Sequence, residues 1–153
     1  MLAAGGKRGA DPGSMIKIKR IDHVSICVAD LAGTSQRLQA LLGLQAGAPE
    51  WVESQKTEVA FLPVGESSLE LVTPRGNEGL ARFLEKRGPG LHHIALEVEG
   101  LDDALAFLAA LGVPLIDPVA RAGGRGHRVA FVHPKATGGV LIELVEAPSG
   151  ETA

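Results

Sequence analysis

A repeat within the chain limits its folding more than any other feature. IDHVSICVADL, residues 21 to 31, aligns with LHHIALEVEGL, residues 91 to 101, which sets His23 and His93 70 positions apart. The same offset carries EVAFL (58–62) onto RVAFV (128–132). With a small insertion, SLELV ending at Val72 matches LIELV ending at Val145 and pairs Glu70 with Glu143. Self-similarity of this kind means one supersecondary unit used twice. Each half carries one helical stretch. LAGTSQRLQALLGL starts at Leu31 with Leu38, Leu41 and Leu42 at helical spacing, and LDDALAFLAALGV starts at Leu101 with Leu105 and Leu108 in step. Asp30 and Asp102 are the expected start signals, Gly43 and Gly112 the expected stops. Three short extended segments follow each helix, so each half reads strand, helix, strand, strand, strand. A linker helix from Leu80 to Lys86 is expected between the halves, closed by Gly88-Pro89-Gly90.

A βαβββ unit of this size buries its sheet poorly alone, so two must share a core. The expected fold is α+β: two tandem modules, about 18–74 and 89–147, forming a curved, partly open barrel-like mixed sheet in a single domain over 16–148. With 153 residues, 45% of them hydrophobic, one shared core is affordable and two independent domains are not expected. Residues 1–15 carry no apolar h-region and are expected to be a disordered extension. A formal net charge of −3 provides no global positive field for nucleic acid or an anionic membrane. No apolar run approaches the roughly 20 residues that span a bilayer, and a soluble protein is expected. The single cysteine, Cys27, excludes an internal disulfide and suits a reducing, cytoplasmic compartment as a buried structural thiol.

Strand alternation places His23 on one face with Ile21, Ser25 and Cys27, and His93 with Leu91, Ala95 and Glu97. The branched residues opposite, Val24, Ile26 and Val28 in one half and Ile94, Leu96 and Val98 in the other, suit packing against helices. The histidine face is then the concave one, and Glu70 and Glu143 can join it. A lone strand histidine is commonly a satisfied core residue. Repetition shifts that balance. A duplicated His-then-Glu order on apolar strands, where an unpaired carboxylate is costly, is best explained by a bound cation. Imidazole with carboxylate suits Co²⁺, Ni²⁺, Zn²⁺ or Mn²⁺ without choosing among them, and leaves two positions of an octahedral shell for a chelating substrate. By the same alternation His92 points to the opposite face, in a structural role.

RIDHVSICV, GPGLHHIALEV and HPKATGGVLIELVE resemble the vicinal oxygen chelate superfamily, paired βαβββ modules around a metal, and within it the methylmalonyl-CoA epimerases. The resemblance runs from Ile18 to Ala147. Its most specific part is His133-Pro134-Lys135 followed by Thr137-Gly138-Gly139, where glyoxalase I and its relatives usually carry a D-P-[DE]-G turn. The resemblance implies His23, Glu70, His93 and Glu143 as ligands of a divalent metal, Co²⁺ first with Ni²⁺, Mn²⁺ and Zn²⁺ admissible, and a homodimer. It implies an acyl-CoA substrate, (2R)- and (2S)-methylmalonyl-CoA interconverted by α-proton removal and return, with Glu58 and Glu143 as bases on opposite faces of the substrate carbon. Chelation by the thioester and carboxylate oxygens would stabilise the enolate charge as it develops.

Further candidates surround this set. Lys135 and Thr137 lie in a glycine-rich turn whose N–H groups can approach an anion, and suit the substrate carboxylate or thioester. His133 and Arg125 are further substrate-binding candidates, and Arg121, Arg125 and Arg128 surround RAGGRGHR, where basic charge could meet CoA phosphates. A glyoxalase I-like lyase or isomerase would use the same four ligands on a hemithioacetal. A non-catalytic drug-binding resistance module would show an aromatic-lined groove and missing ligands, against 3% aromatic residues and four ligands in this chain.

Overall fold

The computed structural model describes residues 16–150; the amino-terminal extension expected over 1–15 lies outside them. The chain runs β1 (Lys17–Cys27), α1 (Leu31–Leu42), β2 (Glu50–Val52), β3 (Thr57–Val64), β4 (Ser67–Pro74), α2 (Glu78–Arg87), β5 (Gly90–Glu99), α3 (Leu101–Ala110), β6 (Arg121–Ala122), β7 (Arg128–Val132) and β8 (Ile142–Glu146). All eight strands join one mixed sheet in the order β2-β3-β4-β1-β5-β8-β7-β6, nearly closed into a barrel. Each repeat supplies four of them, with β1 parallel to β4 and β5 parallel to β8, and the halves are stitched by the antiparallel pair β1–β5. The expected pair of βαβββ modules is thus the observed fold. Among the described residues no helix is long and apolar enough to cross a membrane.

Local chemistry sets the helix ends. Asp30 caps α1 by accepting from the Gly33 N–H at 3.0 Å, and Gly43, at φ 70°, ends it in a left-handed conformation that glycine adopts without strain. In α3 the expected cap fails. Gly100 occupies that position, the Leu101 N–H is instead accepted by Glu146 from β8 at 2.9 Å, and Asp102 pairs with Arg128. The linker helix is longer than expected because Asn77 caps it at the Leu80 N–H.

The outer side of the sheet packs against the helices, as the branched residues require. Val28, Leu31, Ala60, Leu62 and Leu71 form the core under α1, and Val98, Leu101, Leu105, Ala130 and Leu144 the core under α3. The apolar spacing of α1 overstates its buried face: Leu31 and Ser35 are buried and Leu38 packs, whereas Leu41 and Leu42 are exposed. On the inner side Cys27 joins Val52, Val59, Val72 and Leu80, and burial pushes its thiol up to about 11, as befits a structural residue.

Leu71 is fully buried between β4 and α1. Its replacement by alanine should leave a cavity and destabilise the fold by about 2–5 kcal/mol, read as a lowered urea midpoint with unchanged slope. A loss below roughly 1 kcal/mol would show that this core collapses around the gap.

Candidate metal centre

The paired strands bring both histidines and both glutamates to one point on the concave face. Glu143 Oε1 lies 3.0 Å from Nε2 of His23 and 3.0 Å from Nε2 of His93. Glu70 Oε1 lies 3.6 Å and 3.8 Å from the same two nitrogens and accepts a hydrogen bond from Ser25 Oγ at 2.6 Å. His23, Glu70 and His93 alone form a cluster that could hold a metal, with ligand atoms within 4.8 Å of one another, and Glu143 closes it. All four are buried. The four side chains expected as ligands therefore lie together in one buried cluster.

Two slips in strand register build the surroundings. β1 pairs with β5 as Ile21 with Leu96 and then His23 with Ala95, so Asp22 is an extra residue on β1. Farther along, Ser25 pairs with His93 and Ile26 with Leu91, so His92 is the extra residue on β5. Each extra residue immediately precedes a histidine of the cluster. Both bend to that histidine's far ring nitrogen: Asp22 Oδ2 lies 2.7 Å from Nδ1 of His23, and Nδ1 of His92 lies 2.8 Å from Nδ1 of His93. His92 does not turn to the opposite face as alternation predicts, because the slip breaks alternation there. Ile21, expected beside His23, is displaced to an exposed position by the matching slip on β1.

Electrostatics follows from these contacts. Burial opposes charge on His23, but the bond to Asp22, the close Glu143 carboxylate and the charge of Glu70 together hold its pKa up to about 10. Burial likewise opposes the Glu143 charge, and the two histidines overcome it and keep this carboxyl below the usual range. Asp22 also sits below its ordinary range despite burial, held there by His23 and Arg125. His92 is pushed down to about 4 by burial and by the charges of His93 and Arg87, so it is neutral. It can therefore accept the His93 Nδ1 proton and leave His93 Nε2 free to ligate.

The residues fit a divalent ion. The Nε2 atoms of both histidines and oxygens of two buried carboxylates meet in the same small space. One cation coordinated by imidazole nitrogens and carboxylate oxygens would satisfy all of them. The cluster opens into a cavity of about 270 Å³ lined in part by Glu70, His93, His92, Gln55, Arg121 and Phe131.

Two residues that the sequence reading passed over flank the histidines. Phe61 stands edge-on to His23 at 5.6 Å and Phe131 edge-on to His93 at 5.0 Å, with Arg125 over the first ring and Arg121 over the second. They are repeat equivalents, and the alignment of EVAFL with RVAFV carries that signal. Strand register seats each beside its glutamate, Phe61 opposite Glu70 and Phe131 opposite Glu143.

Several expected site residues lie elsewhere. Glu58 shares its strand face with Ala60 and Leu62, which pack under α1, so it is on the opposite face from Glu70 and binds Arg75 at 3.0 Å. It is not placed to act as a base in this cavity. Arg125 is not a free phosphate ligand: its guanidinium holds Asp22 and so stands behind His23. Arg121 pairs with Asp117, and Arg128 with Asp102 and Glu146. In the turn at 133–139 the N–H groups of Lys135, Ala136, Thr137 and Gly139 are taken by acceptors within the turn, His133 Nδ1 among them, and the Thr137 hydroxyl donates to the Val140 carbonyl. These bonds use most of the turn's backbone donors, while the Lys135 ammonium has no acid partner among the described residues. His133, Lys135 and Thr137 do not line the metal cavity.

The architecture has known counterparts. Residues 22–131 match the model of the Glyoxalase/Bleomycin resistance protein/Dioxygenase superfamily. An uncharacterized protein of Bacillus subtilis (strain 168), YqjC, is 40% identical over 135 residues, covering 88% of this chain and 96% of that protein. An ethylmalonyl-CoA/methylmalonyl-CoA epimerase of Cereibacter sphaeroides is 35% identical, covering 83% of this chain and 97% of the relative. A solved methylmalonyl-CoA epimerase in complex with methylmalonyl-CoA and NH4+ superposes with a TM-score of 0.84 at 33% identity, covering 90% of this chain and all of that one. Repeat, sheet order and sequence agree, and the chain belongs to the glyoxalase/bleomycin resistance protein/dioxygenase superfamily.

Proposed function

We propose that this protein is a divalent-metal-dependent epimerase that interconverts (2R)- and (2S)-methylmalonyl-CoA. The supporting observation is the buried His23–Glu70–His93–Glu143 cluster, two of whose members, Glu70 and His93, line a cavity of about 270 Å³, in a chain whose relatives carry that activity by name. The same resemblance supports a homodimer and a cytoplasmic site of action, and Co²⁺ as the first metal to test. When bound, the metal supplies Lewis-acid stabilisation of the negative charge that develops on the substrate as its α-proton leaves.

The chain's own groups supply the rest. Asp22 and His92 fix the rings of His23 and His93 so that both Nε2 atoms face the cluster. Glu143, kept ionised by the two histidines, is the α-proton base in this reading. A ligand role would also lower its basicity, which favours proton return over retention. Arg121 lines the cavity with its guanidinium paired to Asp117. Inversion needs a proton delivered to the opposite face of the planar carbon, and the donor there is a group other than Glu58.

Metal-loaded protein incubated with (2S)-methylmalonyl-CoA in D₂O should yield α-deuterated, epimerised product, and chelator-treated protein none. Glu143→Gln should lower the exchange by about 10²-fold or more. Undiminished exchange in that variant would remove Glu143 as the base. Consumption of methylglyoxal and glutathione with no exchange would assign the centre to glyoxalase chemistry instead.

Proton and metal compete for His23. Its raised folded pKa means that the charged form stabilises the metal-free fold fully below about pH 6.5, and that this contribution is lost as pH rises towards about 10. Co²⁺ takes the neutral ring, so its affinity should rise roughly tenfold per pH unit between pH 6.5 and 8 while metal-free stability declines. Calorimetric titration that found an affinity independent of pH would show that His23 does not release a proton to the metal.

Asp22→Asn removes the charge behind His23. It should weaken Co²⁺ binding by about 10- to 100-fold. Unchanged affinity would reduce Asp22 to a partner of Arg125 alone.

A further inference from the structure

Backbone conformation sets one residue of the 123–127 loop apart. Among the described residues, Lys56 and Arg125 are the two besides glycine with a positive φ. Lys56 has a counterpart, because the repeat offset of 70 carries it onto Gly126, which is also left-handed at φ 71°. Arg125, at φ 56° and ψ 26°, has none: its repeat equivalent is Gln55, whose φ is not positive. A side chain in this region carries conformational strain that glycine avoids. An arginine between Gly124 and Gly126 is therefore held there for what its guanidinium does.

Both contacts of that guanidinium lead to His23. It donates to Asp22 Oδ2, the oxygen that lies 2.7 Å from His23 Nδ1. It also stacks over Phe61, 4.0 Å from the ring centroid, and that ring stands edge-on to His23 at 5.6 Å. The loop is pressed against Phe61, since a Cβ on Gly124 would lie 3.2 Å from its ring. From the other side Glu50 of β2 fixes the loop, accepting the Arg125 N–H with both carboxylate oxygens at 2.9 and 3.2 Å. β2 and β6 are the free edges of the sheet, so this contact bridges the barrel's open seam. His93 has no matching arrangement: Arg121 lies 6.0 Å from Phe131 and pairs with Asp117, not with His92.

We propose that Arg125 is a positioning residue of the metal centre, holding His23 through Asp22 and linking the centre to the loop that bridges the barrel's seam. The proposal rests on the metal-centre reading above and extends it to a residue of the opposite repeat. Asp22 has a second cation within reach, because Arg20 lies 3.6 Å from its Oδ1. Without Arg125 the carboxylate is drawn towards Arg20, and His23 loses the acceptor that sets its ring. Net charge is not the lever. The guanidinium and the Asp22 carboxylate largely cancel as seen from the centre, so Arg125 supplies orientation.

The test is calorimetric titration of the full chain with Co²⁺ at one fixed pH, in the parent, Arg125→Gly, Arg125→Lys, Asp22→Asn and the double variant Asp22→Asn/Arg125→Gly. Glycine suits the left-handed backbone, and urea unfolding of each metal-free variant checks that it is folded. Arg125→Gly should bind Co²⁺ about tenfold more weakly. Arg125→Lys, which keeps the cation and loses the fork, should bind about threefold more weakly. In the Asp22→Asn background the glycine substitution should weaken binding by less than about twofold, because the acceptor it holds is already altered. By linkage, bound Co²⁺ should slow amide hydrogen exchange in the 123–127 loop of the parent and leave it unchanged in Arg125→Gly. Equal affinity in the parent and Arg125→Gly overturns the proposal, as does an undiminished loss in the Asp22→Asn background. Loop exchange in the parent that does not respond to Co²⁺ overturns the link to the seam. A parent that binds no Co²⁺ removes the metal centre itself, whereas a parent that binds and variants that match it remove the role of Arg125 alone.

Discussion

Glu143 places a carboxylate oxygen 3.0 Å from an imidazole nitrogen of each half of the molecule, and all three side chains are buried. A buried carboxylate is tolerated only when something positive meets it, and in this protein the positive partners come from two different repeats. The site therefore exists only if the repeats dock in one register. The β1–β5 pairing provides that register, and it is also the seam that joins the two half-barrels into one sheet. Stability of the fold and assembly of the centre are consequences of the same strand pair.

Duplication explains the placement of the ligands and also its limits. Each repeat brings a histidine, a glutamate and a phenylalanine to equivalent positions, because strand order and pairing are the same in both halves. The residue before each histidine then breaks the equivalence: Asp22 in one half is an ionised partner, His92 in the other a neutral one. The two imidazoles are thus presented with different charge behind them, so the chemistry of a centre with near-twofold geometry need not be symmetric. On the outer face Glu58 and Arg128 show the same divergence, each serving a surface ion pair of its own half.

What was legible from the sequence had a short-range or periodic cause. The repeat, the period-2 alternation and the helix punctuation at Asp30 and Gly43 are local, so the two βαβββ modules, the linker helix and the four-residue cluster could be read from them. Legibility failed wherever a long-range contact overruled a local rule. Asp102 looks like a cap, but Glu146 from a distant strand satisfies Leu101 and leaves Asp102 to Arg128. His92 and Ile21 follow alternation only until the two register slips, and nothing in either strand's composition marks those slips.

The sequence by itself therefore determined the architecture and the identity of the four converging side chains, since both follow from a pattern written twice along one chain. The tertiary structure decided which charges are free. Glu58 lost its place at the site because its face of β3 packs under α1, and Arg125 because Asp22 reaches it across 103 positions of sequence. Charge pairing depends on distances in space that no spacing along the chain encodes.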